Sequence, residues 1–404
     1  MPAPLRVYLD SQDFSRLSAM HAEAAEYLPV KKALLDLRHR GVAEFVFSDI
    51  HIFECLPVEQ THGQEGQARI DVLVELCGRN NLPAFGNVIE YELKKLAAAK
   101  GYYRHPVRLS KDWFPEVEID LSAFDRDTTM KVDAAKYQGT SRAQRRVALK
   151  NARKKRRSMT MEEANHAGLQ DILARFPVRK ADVPRMLGIF RGTVSQRELI
   201  HVIREGLSDV ASFCRWIIEH WAEGESFVRI LRDVAVNFHA SMVWLYDEMR
   251  GLHQQAKGIH TGEEMSVLVG AMFEETRERF LSSGPGSLAE QLLSIDVPVR
   301  GLRMSPEETP SLYSAFDYLS RVLFQSAPEK NARNPRKKKP SDFLDGMHAI
   351  FLPMVDVFRA DAQSQALLSQ QGEKQRDKLA PSLKDLPAFI ERKAASRAGK
   401  QQMD

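Results

Sequence analysis

Short apolar segments that end beside an acid occur near both ends of this 404-residue chain. Residues 355–358 are predicted to form a short buried strand, and Asp361 follows it. Residues 6–9 have the same apolar character, and Asp10 follows them. Open α/β sheets bind their ligands outside the carboxyl ends of the strands. The pattern therefore predicts a parallel sheet with an acidic site along one edge.

The segment before the C-terminal strand adds further acids and a histidine. Ser341 is predicted to cap a short helix that Pro353 ends. Asp342, Asp345 and His348 are three residues apart on this helix, so they share one face. Buried acids are costly unless a cation neutralises them. The segment therefore predicts a metal site.

A second polar helix follows another predicted strand, over residues 45–47. Ser48 is predicted to cap this helix, which carries Asp49, His51 and Glu54. Hard divalent cations prefer oxygen ligands, so the expected ions are Mg²⁺ or Mn²⁺. The predicted metal ligands are five carboxylates: Asp10, Glu54, Asp345, Asp356 and Asp361. Three further residues, His51, Asp342 and His348, are expected to orient these acids.

Four of these motifs, in this order, resemble those of the PIN-like nuclease superfamily. The similar segments are residues 9–14 for the first-strand Asp-Thr/Ser-Asn motif, Ser48 with Glu54 for the second, Asp345 with His348 for the third, and 355–361 for the strand that ends Thr-x-Asp. Residues 378–387 also resemble the tail strand and last helix of larger bacterial members. One departure is Gln12, which stands where the family usually has Asn.

The resemblance implies an α/β fold, a PIN-like three-layer domain with a central parallel sheet. Residues 1–104 would form its N-terminal part and residues 328–404 its C-terminal part. Between them the periodicity favours long helices and no comparable strand. We therefore expect a large all-helical insertion over residues 105–327.

The resemblance also implies a metal-dependent nuclease, with RNA as the substrate and single-stranded DNA as the less favoured one. The catalytic residues it implies are Asp10, Glu54, Asp345 and Asp361, which would activate water to hydrolyse a phosphodiester and leave a 5′-phosphate. Members of this superfamily act as toxins, RNA-processing enzymes or anti-phage effectors. A second copy of the chain and an inhibitory partner protein are further expected partners.

Two basic runs without acids, over residues 142–157 and 330–339, lie in a chain of net charge +4. Local positive charge on an otherwise acidic chain suits a polyanion. The predicted nucleic-acid contacts are Ser11, Arg153, Lys154, Lys155, Arg336, Lys337, Lys338 and Lys339. An alternative reading of the 142–157 run is a solvated helix face.

Composition excludes several other classes. No apolar run approaches the roughly 20 residues of a membrane span, and the first residues do not resemble a signal peptide. Cys55, Cys77 and Cys214 lack metal-ligand spacing and are expected to be reduced and buried, as in a cytoplasmic protein. The sequence contains no Gly-x-Ser-x-Gly motif, so no covalent serine nucleophile is expected.

Two rival interpretations remain beside the nuclease. The first is a catalytically silent nucleic-acid-binding or scaffold protein that keeps the fold, which Gln12 and the large insertion favour. The second is a phosphohydrolase of the haloacid dehalogenase type, which also begins with a strand that ends in Asp. That family requires Asp-x-Asp, whereas Asp10 and Asp13 are here separated by two residues.

Overall fold

A computed structural model describes most of the chain. The residues described are 3–57, 59–114, 141–158, 160, 162, 169–191, 193–222, 224–225, 229, 236–237, 240, 262–293, 301–325 and 341–401. The chain forms two compact units: the first combines Met1–Pro115 with Ser226–Asp404, and the second is Glu116–Glu225. The predicted domain boundaries at 105 and 327 stay predictions.

The first unit contains a small parallel sheet. Its strands are β1 (Leu5–Tyr8), β2 (Ala43–Val46) and β3 (Val357–Phe358), in the order β2-β1-β3. Val7 of β1 lies opposite Phe45 on one side and Val357 on the other. These strands are apolar and largely buried, as expected for parallel strands covered by helices on both faces. The N-terminal and C-terminal segments therefore meet in one sheet.

Helices surround this sheet. Those of the first unit are α1 (Ser11–Leu17), α2 (Ala24–His39), α3 (Asp49–Cys55), α4 (Gly63–Cys77), α5 (Phe85–Ala99), α11 (Gly262–Leu293), α12 (Pro310–Gln325), α13 (Ser341–Ala349), α14 (Ala362–Leu368), α15 (Glu373–Arg376) and α16 (Leu386–Gln401). In its described part the chain is mostly helical and contains one small three-stranded parallel sheet. This agrees with the predicted α/β class with helical segments.

The second unit is helical in its described residues. Its helices are α6 (Arg142–Arg157), α7 (Gln170–Arg175), α8 (Val183–Phe190), α9 (Gln196–Ser208) and α10 (Val210–Glu219). Ser195 and Glu198 form a capping box that begins α9. The indole of Trp216 donates a hydrogen bond to the carbonyl of Ala174 at 3.0 Å, so this tryptophan ties α10 to α7.

One core joins the sheet to the helices that carry the C-terminal motif. Tyr8, Ile50, Tyr318, Phe351 and Phe358 are all fully buried within it. Gly346 of α13 permits close packing on α12, because a Cβ there would lie 2.6 Å from a methyl carbon of Leu319. This packing holds α13 against α12, and the hydrogen bond between His348 and Tyr8 links α13 to β1.

Several smaller expectations can be compared with the structure. The sequence predicts that Pro29 kinks its helical segment or divides it in two, and the structure shows one undivided helix, α2, from Ala24 to His39. The three cysteines are buried and form no disulfide. In the part of the chain that the structure describes, no helix combines the length and apolarity needed to cross a membrane.

Candidate active site

Asp10 begins helix α1 directly beyond the carboxyl end of β1. Its carboxylate accepts a hydrogen bond from the Gln12 backbone N–H at 3.1 Å, and Asp13 completes a reciprocal capping box. Burial raises the pKa of Asp10, and the charges of Glu54 and Asp361 raise it further against an opposing effect of His348. Asp10 is thus both a helix cap and a member of an acidic group.

His51 holds the backbone that leads into Asp10. Its Nε2 donates to the carbonyl of Leu9 at 2.7 Å, and its Nδ1 accepts from the Ser48 backbone N–H at 3.0 Å. These bonds use both ring nitrogens of the neutral imidazole. Burial lowers the pKa of His51 to about 3, which agrees with a neutral ring. His51 therefore positions the strand end and has no nitrogen left for a metal.

Glu54 is held by groups from two separate segments, α1 and α13. The Nε2–H of His348 donates to its Oε2 at 2.6 Å, and the Ser11 hydroxyl donates to the same oxygen. Burial favours a raised pKa for Glu54, but the charge and hydrogen bond of His348, with the Ser11 hydroxyl, bring the pKa below its usual value. Glu54 is therefore ionised and its side chain is fixed in place.

A buried chain of hydrogen bonds continues behind His348. The Tyr8 hydroxyl lies 2.5 Å from Nδ1 of His348 and 2.8 Å from the Ser48 hydroxyl. The pKa of His348 is raised despite burial, because Glu54, Asp10 and Asp345 favour the charged ring. The prediction that His348 orients the acids fits this geometry, with Glu54 as the acid that it contacts.

Asp345 differs from the other acids because, among the described residues, its carboxylate has no hydrogen-bond partner. It lines a small cleft together with Asp10, Tyr8, His348 and Arg359. Burial raises the pKa of Asp345 well above its usual value, and the charges of Glu54, Asp10 and Asp361 add to this effect. Burial and the charges of the neighbouring acids therefore both disfavour the ionised form of Asp345.

Asp361 lies beyond the carboxyl end of β3 and begins α14. One of its oxygens accepts from the backbone N–H groups of Gln363 and Ser364 at 2.7 and 3.0 Å, and the other accepts from the Ser364 hydroxyl at 2.7 Å. These three bonds are those of a helix N-cap. Like Asp10, Asp361 caps a helix while its charge acts on Asp345.

The structure does not bring Asp356 to the other acids. It precedes β3, and its carboxylate accepts from the backbone N–H of Arg6 at 2.8 Å, near the start of β1. Arg397 lies 3.5 Å from the same carboxylate. Because the strands are parallel, Asp356 lies at the amino-terminal ends of the strands, whereas Asp10 and Asp361 lie beyond the carboxyl ends. A shared metal role does not fit this position. Asp342 is buried in the first turn of α13.

Arg359 is a buried site residue to which the sequence patterns assigned no role, and it lies beside the buried acid Asp13. Arg359 is 7% exposed, and its Nη2 lies 3.7 Å from the Asp13 carboxylate, beyond hydrogen-bond distance. Its Nε and Nη1 have no hydrogen-bond partner among the described residues. Burial raises the pKa of Asp13 to about 7, although Arg359 opposes this shift. No sequence periodicity signals such a pair, because it joins residues almost 350 positions apart.

The predicted basic contacts lie mostly outside the described residues. Lys154 is exposed on α6, a 16-residue helix without an acid. The side chains of Arg153 and Lys155, and the residues Arg336, Lys337, Lys338 and Lys339, lie outside the described part. Ser11 is described, and its hydroxyl is engaged by Glu54. Its predicted nucleic-acid contact stays a prediction.

The donor chemistry of the cluster fits a hard divalent cation. Asp10, Glu54, Asp345 and Asp361 offer only carboxylate oxygens, and their mutual repulsion would be relieved by positive charge. Within the described ranges, however, no three His, Cys, Asp or Glu side chains are grouped so that they could hold an ion. The acids therefore have the right chemistry for a metal without forming a ready-made ligand shell.

Comparison with known proteins does not identify a family for this chain. No family model, no curated protein and no solved structure matches the chain.

Proposed function

We propose that this chain is a divalent-metal-dependent nuclease with a PIN-like fold that hydrolyses phosphodiester bonds in RNA. The observation that carries the proposal is the cleft that Asp10 and Asp345 share with His348, whose ring also donates to Glu54, with Asp361 close enough for its charge to act on Asp345. These acids come from four segments, two near each end of the chain. Strand ends and helix starts beside the parallel sheet bring them together, which is where α/β proteins bind ligands.

The same four carboxylates would hold the cation, with Asp345 as the group most available to it. When bound, Mg²⁺ or Mn²⁺ would supply charge stabilisation to the phosphate and lower the pKa of an attacking water. Strongly perturbed carboxyl groups in a cleft are typical of functional sites, because a purely structural acid is normally paired.

The surrounding residues would keep these oxygens in position. His348 and Ser11 fix one oxygen of Glu54, which directs the other oxygen of the carboxylate away from them. His51 fixes the carbonyl of Leu9 and thereby the start of α1 at Asp10. Rigid support of this kind is what an arrangement of catalytic groups requires, since small displacements reduce the rate.

RNA is the proposed substrate because the second unit of the chain carries a strongly basic helix. Helix α6 carries nine Lys and Arg residues between Arg142 and Arg157. Such a helix neutralises backbone phosphates without reading the sequence, so binding is expected to weaken as salt rises. Within its 16 residues there is no aromatic side chain for base stacking.

A catalytically silent nucleic-acid-binding protein is the second candidate, and specific contacts favour it. Asp10 and Asp361 each cap a helix, and Glu54 is paired with His348. These bonds give three of the four acids a purely structural explanation. Asp345 is the exception, and it is therefore the residue that separates the two candidates.

The test is cleavage of a 5′-labelled single-stranded RNA with Mn²⁺, Mg²⁺ or EDTA by the wild type, Asp345→Asn and Asp71→Asn. Asp71 is an exposed acid of α4 and serves as the matched control. We expect metal-dependent cleavage by the wild type and by Asp71→Asn, and at least a hundredfold loss in Asp345→Asn.

Two outcomes contradict the nuclease proposal. A folded wild type that binds RNA without cutting it under any metal condition would instead support the silent candidate. An Asp345→Asn variant with full activity would mean that cleavage takes place elsewhere. Circular dichroism of each variant establishes that the fold is kept.

A further inference from the structure

A second, larger cavity lies beside α1, separate from the cleft that Asp345 lines. Its volume is about 460 Å³, which is in the range of small-ligand sites. Its wall is formed by the C-terminal part of α1 and the loop after it, the residues that follow α3, and the start of α4. Nothing in the proposed reaction uses this space.

The cavity adjoins the acidic cluster along two elements. Ser11 contacts Glu54, and Ser15, which lines the cavity, lies one helical turn further along the same face of α1. Leu56, another lining residue, follows Glu54 by two positions. One helical turn is roughly 5.4 Å. The cavity and the acidic cluster are therefore close enough for a single nucleic-acid strand to contact both.

The lining combines an apolar wall with a cation. Met20 supplies exposed apolar surface, since it is 52% exposed although it is a large hydrophobic residue, and the buried Leu56 and Pro57 lie behind the wall. Methionine sulfur makes favourable contacts with aromatic rings. Such a wall suits the flat face of a nucleobase.

Arg69 supplies the charge. Its Nε is buried and has no hydrogen-bond partner among the described residues, although the side chain lines the cavity. A buried donor without a partner is rare in folded proteins, so the hydrogen-bonding capacity of this guanidinium is not fully used within the described residues, and an anion in the cavity would interact with its charge. His62 is already paired with Glu65 at 2.8 Å, so Arg69 is the cation that a phosphate would meet.

We propose that this cavity binds one nucleotide of the substrate strand next to the cleaved phosphodiester. The phosphate would lie at Arg69 and the base against the exposed side chain of Met20. The inference rests on the proposed nuclease function for its choice of ligand. It adds a subsite that orients the strand relative to the acids.

The experiment measures binding of adenosine 5′-monophosphate by calorimetry in EDTA, so that catalysis plays no part. The variants are Arg69→Gln and, as the matched control, Arg79→Gln, which removes an exposed arginine just beyond the end of α4. We expect the wild type and Arg79→Gln to bind equally and Arg69→Gln to bind at least tenfold more weakly. Adenosine, which lacks the phosphate, should bind the wild type as weakly as the monophosphate binds Arg69→Gln.

Steady-state cleavage of a short single-stranded RNA gives an independent readout. Arg69→Gln should raise KM about tenfold with little change in kcat, because the lost contact is made equally in the ground and transition states. Met20→Ala changes an exposed side chain and serves if Arg69→Gln does not fold. It should weaken binding of the monophosphate at least threefold.

The outcomes separate the subsite from the nuclease. A wild type that cuts RNA but does not bind the monophosphate, or a folded Arg69→Gln that binds it normally, overturns the subsite alone. Arg69-dependent binding by a wild type that cuts nothing would support the subsite as a nucleotide site and contradict the nuclease proposal.

Discussion

Asp49 provides a quantitative test of how burial controls the acids in this unit. Its side chain is 4% exposed at the start of α3, and its two oxygens accept the Phe85 backbone N–H at 3.1 and 3.2 Å. Despite these bonds, burial raises the pKa of Asp49 from 3.8 to about 7. The replacement Asp49→Asn keeps an oxygen that can accept the Phe85 backbone N–H but removes the carboxyl group that titrates.

The sign of the effect follows from which state holds the proton. Between pH 4 and pH 7 the folded protein keeps Asp49 protonated while the unfolded chain releases the proton. Its contribution to stability is therefore complete below pH 4 and is lost as the pH rises to about 7. A shift of about 3 units at 1.36 kcal/mol per unit corresponds to about 4 kcal/mol over this range.

The measurement compares the free energy of unfolding of the wild type and Asp49→Asn at several pH values from 5 to 8. Hydrogen exchange of the β1 amides reports the unfolding of the first unit alone. The free energy of unfolding of Asp49→Asn should rise relative to that of the wild type by about 1.4 kcal/mol per pH unit up to pH 7, and the difference should then level off. A difference that stays constant with pH, or that shrinks as pH rises, would refute the reasoning. The exposed Asp71→Asn variant serves as the matched control.

Three further predictions concern separate parts of the molecule. Glu92 accepts the backbone N–H groups of Ser311 and Leu312 at the start of α12, so Glu92→Ala should destabilise the protein by about 1–3 kcal/mol, measured by thermal unfolding; an unchanged midpoint would contradict this. His348 lowers the pKa of Glu54, so His348→Gln should move the acidic limb of the pH–activity profile to higher pH; a profile that keeps its position would contradict it. Replacing the exposed Lys154 by Gln should weaken RNA binding and reduce the slope of log K against log salt by about 0.7, measured by fluorescence anisotropy; an unchanged slope would show that α6 makes no phosphate contact there.

The sequence predicted the strand ends well because apolar runs and the acids that follow them are local signals. Asp10 and Asp361 lie beyond the carboxyl ends of β1 and β3, as the pattern indicates. The same locality explains the difference at Asp356. The strand β3 begins only at Val357, so Asp356, which was predicted to lie within the strand, precedes it. Asp356 therefore lies at the amino-terminal end of the strands, away from Asp10 and Asp361.

Contacts between distant segments could not be predicted in this way. Tyr8 has the character of an ordinary buried strand residue, yet its hydroxyl reaches His348, 340 positions away. The pair of Arg359 and Asp13 depends on the same long-range packing. Periodicity predicts that α11 and α12 are helices, but it does not indicate that they belong to the unit that contains the sheet.

Binding of Mn²⁺ tests the central claim most directly, because it examines the acidic cluster without requiring a substrate. Calorimetric titration should show binding to the wild type, loss of at least tenfold in affinity in Asp345→Asn, and no change in Asp356→Asn, whose acid lies at the opposite edge of the sheet. Protons should be released on binding, because burial and neighbouring charges raise the pKa values of Asp10 and Asp345. A wild type that binds no Mn²⁺, or whose binding is indifferent to Asp345→Asn, would contradict the account.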